Sequence, residues 1–488
     1  MRRELVELRE LCRYRFADGS RLSAHRDPER MAAEVERLAP GQGARWRAFH
    51  AWARGCLEAS TRTFFAGPLT RPPSEARLSD LTAVAPGRTL AGLARRAFTD
   101  RRLRQYVARY ATYAGSNPYR APAALGCIPA IEHDHGGWYV PGGLPTLADD
   151  LARLLEEAQV EVRLSARVCE VVAGGGRVRA VRLADGGEVG CEVVIVNTDA
   201  AELYGHLLPD RRRLRRIAAL GPSSSAFLLL AGVEGRTEGL AHHSILFSAD
   251  YRAEFGDLFE HRRPPRDPTV YVGCASVDDP SQAPEGAEAW TMLVNVPARD
   301  PSRWPLSPQA YRDLVLERLA ERGHDLSGRL RFVDLFTPAD LRERYGAWGG
   351  AIYGGAYSGP LAPSAAPATG GRGAACTWSA ARSTLAAGCR WSRWAAGSSP
   401  TSSTETSPSE RPPREVDHRA RPRPGRRRRH RGRQAGQGTA AQTAACSRAP
   451  GHGRGLGRRA GEERGASHRA LPERRAGRPR RRRGDRGG

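Results

Sequence analysis

Residues 136–200 decide the fold of this chain, and they read GGWYVPGGLPTLADDLARLLEEAQVEVRLSARVCEVVAGGGRVRAVRLADGGEVGCEVVIVNTDA. A glycine-rich loop leads into a segment whose leucines, at 147, 151, 154 and 155, recur at helical spacing. The pattern then predicts strands over residues 160–164, 168–172, 177–183 and 193–196. The last run is short, wholly apolar and β-branched, which is typical of a strand buried on both faces of a parallel sheet.

Polar residues follow that last strand at its carboxyl end. Asn197 and Thr198 stand where ligands collect in open α/β sheets, although polar residues are also ordinary turn formers. Gly142 and Gly143 likewise suit either a simple loop before a helix or a close approach of the backbone to a ligand. From the residues alone, both interpretations stay open.

The region before this stretch, residues 1–135, is predicted to be mostly helical after one hairpin. Asp18-Gly19 separates two strand-like runs, 14–16 and 21–23, as a tight turn would. Asp27 followed by Pro28 has the form of an N-cap and first helical position. Further helices are predicted over residues 43–58, 90–98 and 101–112.

The region after it divides into two unlike parts. Residues 201–350 are predicted to form a second α/β portion, with strands over 227–231, 269–272, 291–296 and 330–335 and a helix over 307–322. Residues 356–488 are dominated by Ala, Arg, Gly, Pro and Ser without periodicity, which predicts disorder. We therefore divide the chain into 1–135, 136–200, 201–350 and a 356–488 tail.

The charge of the chain is concentrated in that tail. The formal net charge of +24 would by itself suggest a nucleic acid or an anionic membrane as partner. Residues 356–488, however, hold 29 arginines against 8 acidic residues, which leaves 48 arginines against 45 acidic residues for the rest. Beyond Trp394 the tail contains no aromatic residue that could stack on bases, so we expect no specific nucleic-acid binding.

Cysteine usage and hydropathy exclude two further classes of protein. The nine cysteines are scattered without CxxC spacing, which favours reduced cytoplasmic thiols over a secreted disulfide scaffold. The longest apolar runs, such as 226–233, fall far short of the roughly 20 residues that span a bilayer. No apolar signal segment follows the charged first residues. We therefore predict a cytoplasmic protein.

Two histidine-rich segments could suggest metal binding. In Glu132-His133-Asp134-His135, a strand would direct both histidines to one face, but no third ligand follows at zinc spacing. The pair His242-His243 has the same weakness, so we expect no metal site. A serine hydrolase is also excluded, since no GxSxG elbow is present.

Several motifs resemble the bacterial and fungal type of phytoene desaturase. They are Tyr110-Ala-Thr-Tyr-Ala-Gly-Ser-Asn-Pro-Tyr-Arg, Ile128-Pro-Ala-Ile-Glu-His, the 136–144 loop, His242-His-Ser-Ile-Leu-Phe, Asp279-Pro-Ser-Gln-Ala-Pro-Glu-Gly and Phe336-Thr-Pro-Ala-Asp. The resemblance covers about residues 10–355 in order. It implies an FAD-dependent oxidoreductase acting on long polyenes, taken up from a membrane surface to which the protein is peripherally bound. The implied fold class is α/β, with part of a Rossmann-like FAD-binding domain beside an α/β substrate domain.

The resemblance also assigns roles to particular residues. Gly142 and Gly143 would lie beside the flavin, and the main chain of Val168 would contact the adenine while its side chain packs in the core. Asn197 and Thr198 join these cofactor candidates because of their position at the carboxyl end of a strand. Such enzymes leave the difficult chemistry to the flavin, so we assign no catalytic base. Aromatic residues that could line a substrate tunnel, or simply pack in the core, are Tyr113, Trp138, Tyr139, Phe227 and Phe247; the nearest polar candidates are Glu132 and Arg120.

Two segments typical of that family are missing from the sequence as written. No GxGxxG turn for the FAD pyrophosphate follows Met1, so we expect an N-terminal truncation. The family's closing Val-Gly-Gly-Ser-Thr-His-Pro-Gly-Gly-Gly-Val-Pro segment is also absent. If codons end in G or C, reading from their third base converts Thr377-Trp378-Ser379-Ala380 into Leu-Val-Gly-Gly and residues 383–392 into His-Pro-Gly-Gly-Gly-Leu-Pro-Leu-Val. We therefore predict a frameshift between residues 354 and 363.

The leading functional hypothesis is a carotenoid desaturase-like flavoprotein. A polyene isomerase, saturase or oxygenase on the same fold is the first alternative, and an Arg-rich nucleic-acid-binding protein is an alternative from another class. A chain that lacks both flavin segments should hold FAD poorly, so an inactive product is a further hypothesis.

Overall fold

The computed structural model describes residues 4–65 and 77–356, together with a strand at 376–378. The predicted disordered tail, with its arginine runs at 426–429 and 480–483, therefore lies almost wholly outside the described residues. Within the described part of the chain, no helix is both long and apolar enough to cross a membrane.

The secondary structure alternates between helical and strand-rich stretches. The strands are β1 (Val6–Glu7), β2 (Cys12–Arg15), β3 (Arg21–Ala24), β4 (Trp138–Tyr139), β5 (Val168–Gly174), β6 (Arg177–Leu183), β7 (Glu188–Gly190), β8 (Val194–Val196), β9 (Ser224–Glu234), β10 (His243–Leu246), β11 (Val270–Gly273), β12 (Ala287–Pro297), β13 (Leu330–Phe336) and β14 (Cys376–Trp378). The α-helices are α1 (Pro28–Leu38), α2 (Gly43–Ser60), α3 (Leu78–Ala83), α4 (Leu90–Ala97), α5 (Arg101–Ala108), α6 (Ile128–His135), α7 (Pro145–Glu157), α8 (Ala200–Glu202), α9 (Arg211–Leu220), α10 (Tyr251–Gly256), α11 (Pro308–Glu321) and α12 (Pro338–Tyr345).

The local signals near the start of the chain are confirmed. Strands β2 and β3 pair antiparallel around Gly19, whose φ of 80° is one that glycine adopts without strain. The Asp27 side chain accepts a hydrogen bond from the Arg30 N–H, and Pro28 opens α1. These contacts are short in sequence, which is why composition and spacing predict them.

A seven-stranded sheet forms the centre of the structure, in the order β13-β9-β12-β11-β10-β2-β3. Strand β10 pairs parallel with β2. The pairs β10–β11, β11–β12, β12–β9 and β9–β13 are antiparallel. The hairpin near the start of the chain and the strands of the 201–350 region therefore share one sheet. The domain boundaries drawn from the sequence remain predictions.

The two faces of this sheet are covered by different helices. On one face, Trp290, Met292 and Val294 of β12 are buried in a core that also contains Tyr311 and Val315 of α11. On the other face, the hairpin strands and β10 pack against a layer formed by the helices of residues 28–135. Because strand side chains alternate between faces, Leu293 and Asn295 of β12 lie on this second face.

Two strand predictions in residues 136–200 are corrected by the structure. Residues 160–164 form no strand, and Leu164 is 86% exposed. Residues 194–196 do form β8, but Ile195 is 74% exposed, so the strand is not buried on both faces. Within the described residues β8 pairs only with β14, in parallel, and this single neighbour leaves its outer face open.

Candidate functional site

A cavity of about 350 Å³ opens on the second face of the seven-stranded sheet. Its apolar wall is formed by Leu11, Ile245, Leu293 and Ile352. Its volume lies within the range of small-molecule sites, which are typically roughly 300–1,000 Å³. Most of the remaining lining residues are polar, among them Arg109, Glu132 and His243, so the cavity offers both apolar and polar contacts to a ligand.

Strand register explains why these side chains meet. Ile245 of β10 stands opposite Tyr271 of β11, and Tyr271 stands opposite Leu293 of β12. Three neighbouring strands therefore present one row of side chains to the cavity. The intervening residues, such as Val272 and Met292, point to the opposite core.

A buried ion pair closes one side of the cavity. Arg109 is 7% exposed, donates from Nη2 to the Tyr14 hydroxyl at 2.7 Å, and lies 3.5 Å from Glu132. The Tyr110 hydroxyl donates to Glu132 Oε2 at 2.6 Å, and the Tyr113 hydroxyl donates to Oε1. The guanidinium also lies 4.7 to 5.2 Å from the centres of three tyrosine rings. These contacts fix the carboxylate in one position.

The tyrosines of this cluster remain neutral hydroxyl donors. Burial and the negative charge of Glu132 raise the pKa of both Tyr110 and Tyr113 well above the ordinary value. Neither hydroxyl therefore ionises near neutral pH. The cluster holds a single negative charge, on Glu132, balanced by Arg109.

A row of ring contacts connects the cavity to the predicted glycine loop. His243 lines the cavity and its Nδ1 lies 2.8 Å from the Tyr271 hydroxyl. Burial and the neighbouring His242 lower the pKa of His243 to about 4, so its ring is neutral at pH 7. The His242 ring packs at 4.9 Å against Tyr139, which belongs to the loop that leads to Gly142.

Gly142 and Gly143 both adopt left-handed backbone conformations, with φ of 82° and 84°. The Gly142 N–H donates to Asp279 Oδ2 at 3.0 Å, and the Tyr139 hydroxyl donates to the same oxygen at 2.9 Å. The Ser281 hydroxyl and the Gly142 N–H lower the pKa of Asp279 to about 2. The carboxylate of Asp279 therefore fixes the glycine loop just before α7.

The residues predicted at the end of β8 lie beside the segment that carries the cavity residue Tyr353. A Cβ added at Gly346 would lie 3.5 Å from Thr198 Oγ1, and the Trp348 N–H donates to Asp199 at 3.3 Å. Asn197 follows β8 directly. The structure thus places Thr198 beside Gly346, while Val168 begins the separate three-stranded sheet β5-β6-β7.

The aromatic candidates separate into different environments. Tyr113 lines the cavity, whereas Phe227 lies in the core on the opposite face and Phe247 in the core under the helical layer. Trp138 is 45% exposed. Of the two polar candidates, Glu132 lines this cavity and Arg120 lines a separate, charged cavity of about 730 Å³.

The segment from Glu132 to His135 is the end of helix α6, so the strand interpretation is wrong. His133 Nδ1 lies 2.7 Å from the His25 carbonyl oxygen, and its Nε2 lies 3.2 Å from the Tyr106 hydroxyl. Both ring nitrogens are therefore engaged in the core. Over residues 4–65 and 77–356 no group of three metal-ligating side chains is found.

Sequence reasoning missed Arg109, Asn295 and Tyr353. An arginine surrounded by tyrosines, as in residues 106–113, is a signal that could have indicated a buried ion pair. Asn295 and Tyr353 carry no such local signal, because they meet at the cavity only through strand register.

Comparisons with known proteins identify the class to which this fold belongs. Residues 4–362 match the family described as flavin containing amine oxidoreductase. A 4,4'-diapolycopene oxygenase from Methylomonas sp is 31% identical over 356 residues, which cover 70% of each chain. A zeta-carotene-forming phytoene desaturase from Myxococcus xanthus is 34% identical over 317 residues, covering 64% of this chain and 61% of that protein. A putrescine oxidase variant has the same fold, with a TM-score of 0.52 and 14% identity over 81% of this chain and 83% of its own.

The chain therefore belongs to the flavin-containing amine oxidoreductase family, and the predicted α/β flavoprotein fold is confirmed. It is an oxidoreductase of that family, whose cofactor is FAD. Its sequence relatives include a carotenoid desaturase and a carotenoid oxygenase.

Among the described residues, the helix start that follows β8 does not fit the pyrophosphate of FAD. A pyrophosphate is normally bound by free N–H groups at a helix start that follows a strand. At the start of α8, the Ala201 N–H already donates to the carboxylate of Asp199. These residues therefore define no reaction step through FAD.

Proposed function

We propose that this chain is an FAD-dependent, carotenoid desaturase-like oxidoreductase that acts on a long polyene. The observation that carries the proposal is the cavity, whose wall of Leu11, Ile245, Leu293 and Ile352 suits a hydrocarbon chain. Sequence similarity to a phytoene desaturase and a diapolycopene oxygenase supports a polyene as the substrate.

The residues of the chain have positioning roles in this proposal. The apolar wall binds a segment of the polyene and excludes water, while the row formed by Ile245, Tyr271 and Leu293 fixes its direction along the sheet. Glu132 is held by two tyrosines and Arg109, so it places one fixed negative charge at the cavity side. When bound, FAD supplies the two-electron oxidation.

The predicted cofactor contacts form part of the proposal. Gly142, Gly143, Asn197 and Thr198 would lie along the flavin, and the main chain of Val168 would contact the adenine. Uptake of the polyene from a membrane surface, with the protein peripherally associated, completes this function. A polyene is insoluble in water, so such a surface is where the substrate is available.

An oxygenase acting on the same substrate class is the second candidate. It is favoured by the 31% identity to the 4,4'-diapolycopene oxygenase over 70% of the chain. The two reactions differ in product, because desaturation lengthens the conjugated system whereas oxygenation adds a polar group.

Expression in a host that accumulates carotenoids tests the proposal, with products separated by chromatography. A desaturase yields polyenes of the same polarity that absorb at longer wavelength, and an oxygenase yields products of higher polarity. An unchanged carotenoid profile in the presence of soluble protein would reject both candidates for this chain.

Two leucines of the same sheet face provide a matched pair of variants. Leu293→Arg places a charge in the cavity wall and should abolish any product. Leu230→Arg places the same charge at a position that is already 38% exposed and should leave the product unchanged. Equal effects of the two variants would show that the cavity is not the reaction site.

A further inference from the structure

Two arginines face each other across the hairpin of β2 and β3. Arg15 of β2 stands directly opposite Arg21 of β3, which is the edge strand of the seven-stranded sheet. Like charges in directly opposite positions destabilise a strand pair unless another group offsets them. Both side chains line a small cavity, whose other lining residues include His324 and Gly239.

Contacts with two glycines show that the arginine side chains reach this cavity from different directions. A Cβ added at Gly323 would lie 2.8 Å from both Nη1 and Nη2 of Arg15, so this guanidinium lies against the backbone just before His324. A Cβ added at Gly239 would lie 3.6 Å from Arg21 Nη1. The cavity has a volume of only about 10 Å³, close to what one water molecule requires. The groups that line so small a cavity converge on one position.

The chain supplies no counter-charge to these two arginines among its described residues. There the side chains of Arg15 and Arg21 form no hydrogen bond or ion pair, and burial and the charge of Arg21 lower the pKa of Arg15. Arg13, a third arginine that lines the cavity, is paired with Glu10. The buried Glu288 carboxylate accepts three hydrogen bonds from other residues. Two positive charges therefore meet at the cavity without being neutralised.

His324 contributes a neutral polar group to the same cavity. It is 6% exposed, and its Nδ1 is buried without a hydrogen-bond partner in the part of the chain that the structure describes. Burial and the charges of Arg15 and Arg21 lower the pKa of His324 to about 4, so its ring is neutral at pH 7. A buried nitrogen without a partner is costly. An anion in the cavity would accept a hydrogen bond from this nitrogen and offset both arginine charges.

We propose that this cavity binds one small anion, either a halide or a single oxygen atom of an oxoanion, between the guanidinium groups of Arg15 and Arg21 and Nδ1 of His324. Hydrogen bonds from a guanidinium to an anion are among the stronger ones in proteins. The anion joins the β2–β3 hairpin to the segments at residues 239 and 323–324, and so stabilises this part of the sheet. The inference is independent of the proposed function, because none of the three residues lines the cavity assigned to the polyene.

Chloride nuclear magnetic resonance of the purified full chain tests this site. Chloride that exchanges with a protein site gains line width, so the excess line width should saturate as chloride is added at constant ionic strength. Inorganic phosphate is then added as a competitor. Loss of the excess line width shows that an oxoanion oxygen takes the same position, and an unchanged line width shows a site for halides. The arginine-rich tail is the same in every variant, so differences between variants report on the cavity.

Four variants assign the bound anion to its ligands. Arg15→Gln and Arg21→Gln each remove a charge-assisted hydrogen bond and should raise the dissociation constant of chloride at least about tenfold. His324→Phe keeps an aromatic ring and should also weaken binding. The control Arg177→Gln removes an exposed arginine of β6 that stands opposite Gly174, and it should leave chloride binding unchanged. Circular dichroism of each variant checks that the fold is retained.

Thermal unfolding gives a second measurement of the same site. A ligand that binds only the folded chain stabilises it, so chloride or phosphate should raise the unfolding midpoint of the original chain and of Arg177→Gln, but not that of Arg15→Gln or Arg21→Gln. The inference is overturned if neither anion distinguishes the original chain from these two variants in either measurement. Equal effects in all variants would show a general influence of salt on an arginine-rich chain, which also overturns it.

Discussion

The buried pair of Arg109 and Glu132 should make the variant Glu132→Gln strongly destabilising. The substitution keeps an oxygen that can accept from Tyr110 and Tyr113, but it leaves Arg109, only 7% exposed, without its carboxylate. Removing one partner of a buried pair typically costs roughly 3–5 kcal/mol. The side chain of Glu132 is 20% exposed, and Arg109 keeps the Tyr14 hydroxyl, so we expect about 3 kcal/mol, at the lower end of that range.

Urea unfolding monitored by tryptophan fluorescence measures this loss. Trp46 is a suitable reporter because its ring centre lies 5.9 Å from that of Tyr106, which is hydrogen-bonded to Tyr110. With a urea dependence of about 3 kcal/mol per M, the unfolding midpoint should fall by about 1 M.

An exposed ion pair provides the matched control. Arg47 and Glu29 are 52% and 70% exposed, so Glu29→Gln should leave the unfolding midpoint nearly unchanged. The double variant Arg109→Met with Glu132→Leu removes both buried charges and should recover much of the loss. A Glu132→Gln protein that is no less stable than Glu29→Gln would refute the idea that Arg109 depends on this carboxylate.

Three further predictions concern pH dependence, backbone geometry and the gene. Burial raises the pKa of Glu254 to about 7. The contribution of this carboxyl group to stability is therefore full at pH values below its pKa in the unfolded chain, and it is lost as the pH rises through 7. Glu254→Gln should flatten this decline by up to about 3 kcal/mol in urea titrations at several pH values, while the exposed Glu260→Gln should not. Gly350→Ala should lower the thermal midpoint well below that of Gly286→Ala, because the added Cβ would clash with the Pro338 carbonyl oxygen. Gly286 also has a positive φ, but a Cβ there would have no neighbour within 4 Å. Equal midpoints of the two variants would contradict the clash. Resequencing should reveal an inserted or missing base between codons 354 and 363, and an unchanged frame would disprove the frameshift.

The parts of the fold that the sequence predicts are those fixed by neighbouring residues. The hairpin around Asp18-Gly19, the Asp27 cap and the helix starting after Ser307 all depend on contacts within a few positions, and each is found as expected. Strands β9, β11, β12 and β13 also match, because β-branched and apolar runs bounded by turns are local signals.

The candidate site was only partly predictable, because its geometry depends on register between distant strands. Tyr113 and Glu132 were among the candidates and do line the cavity. Asn295 and Tyr353 are 58 residues apart in the sequence, and nothing local distinguishes Asn295 from other polar residues on a half-buried strand. Their proximity follows from the position of the 350–355 segment against the start of β9, through the Ser225 to Ala351 bridge.

The apolar surface of α7 and β8 shows what a hydrophobic pattern does and does not predict. Leu151, Leu154 and Leu155 recur at helical spacing as expected, yet they are 62%, 46% and 41% exposed, and Ile195 of β8 is 74% exposed. Soluble proteins rarely leave large contiguous apolar patches uncovered, so such a pattern is suited to burial. Burial itself requires a second element on the same side, and among the described residues β8 gains only the strand β14 at its edge. The spacing of apolar residues therefore predicts which face of an element can be buried, whereas the partner that covers this face is a property of the tertiary structure.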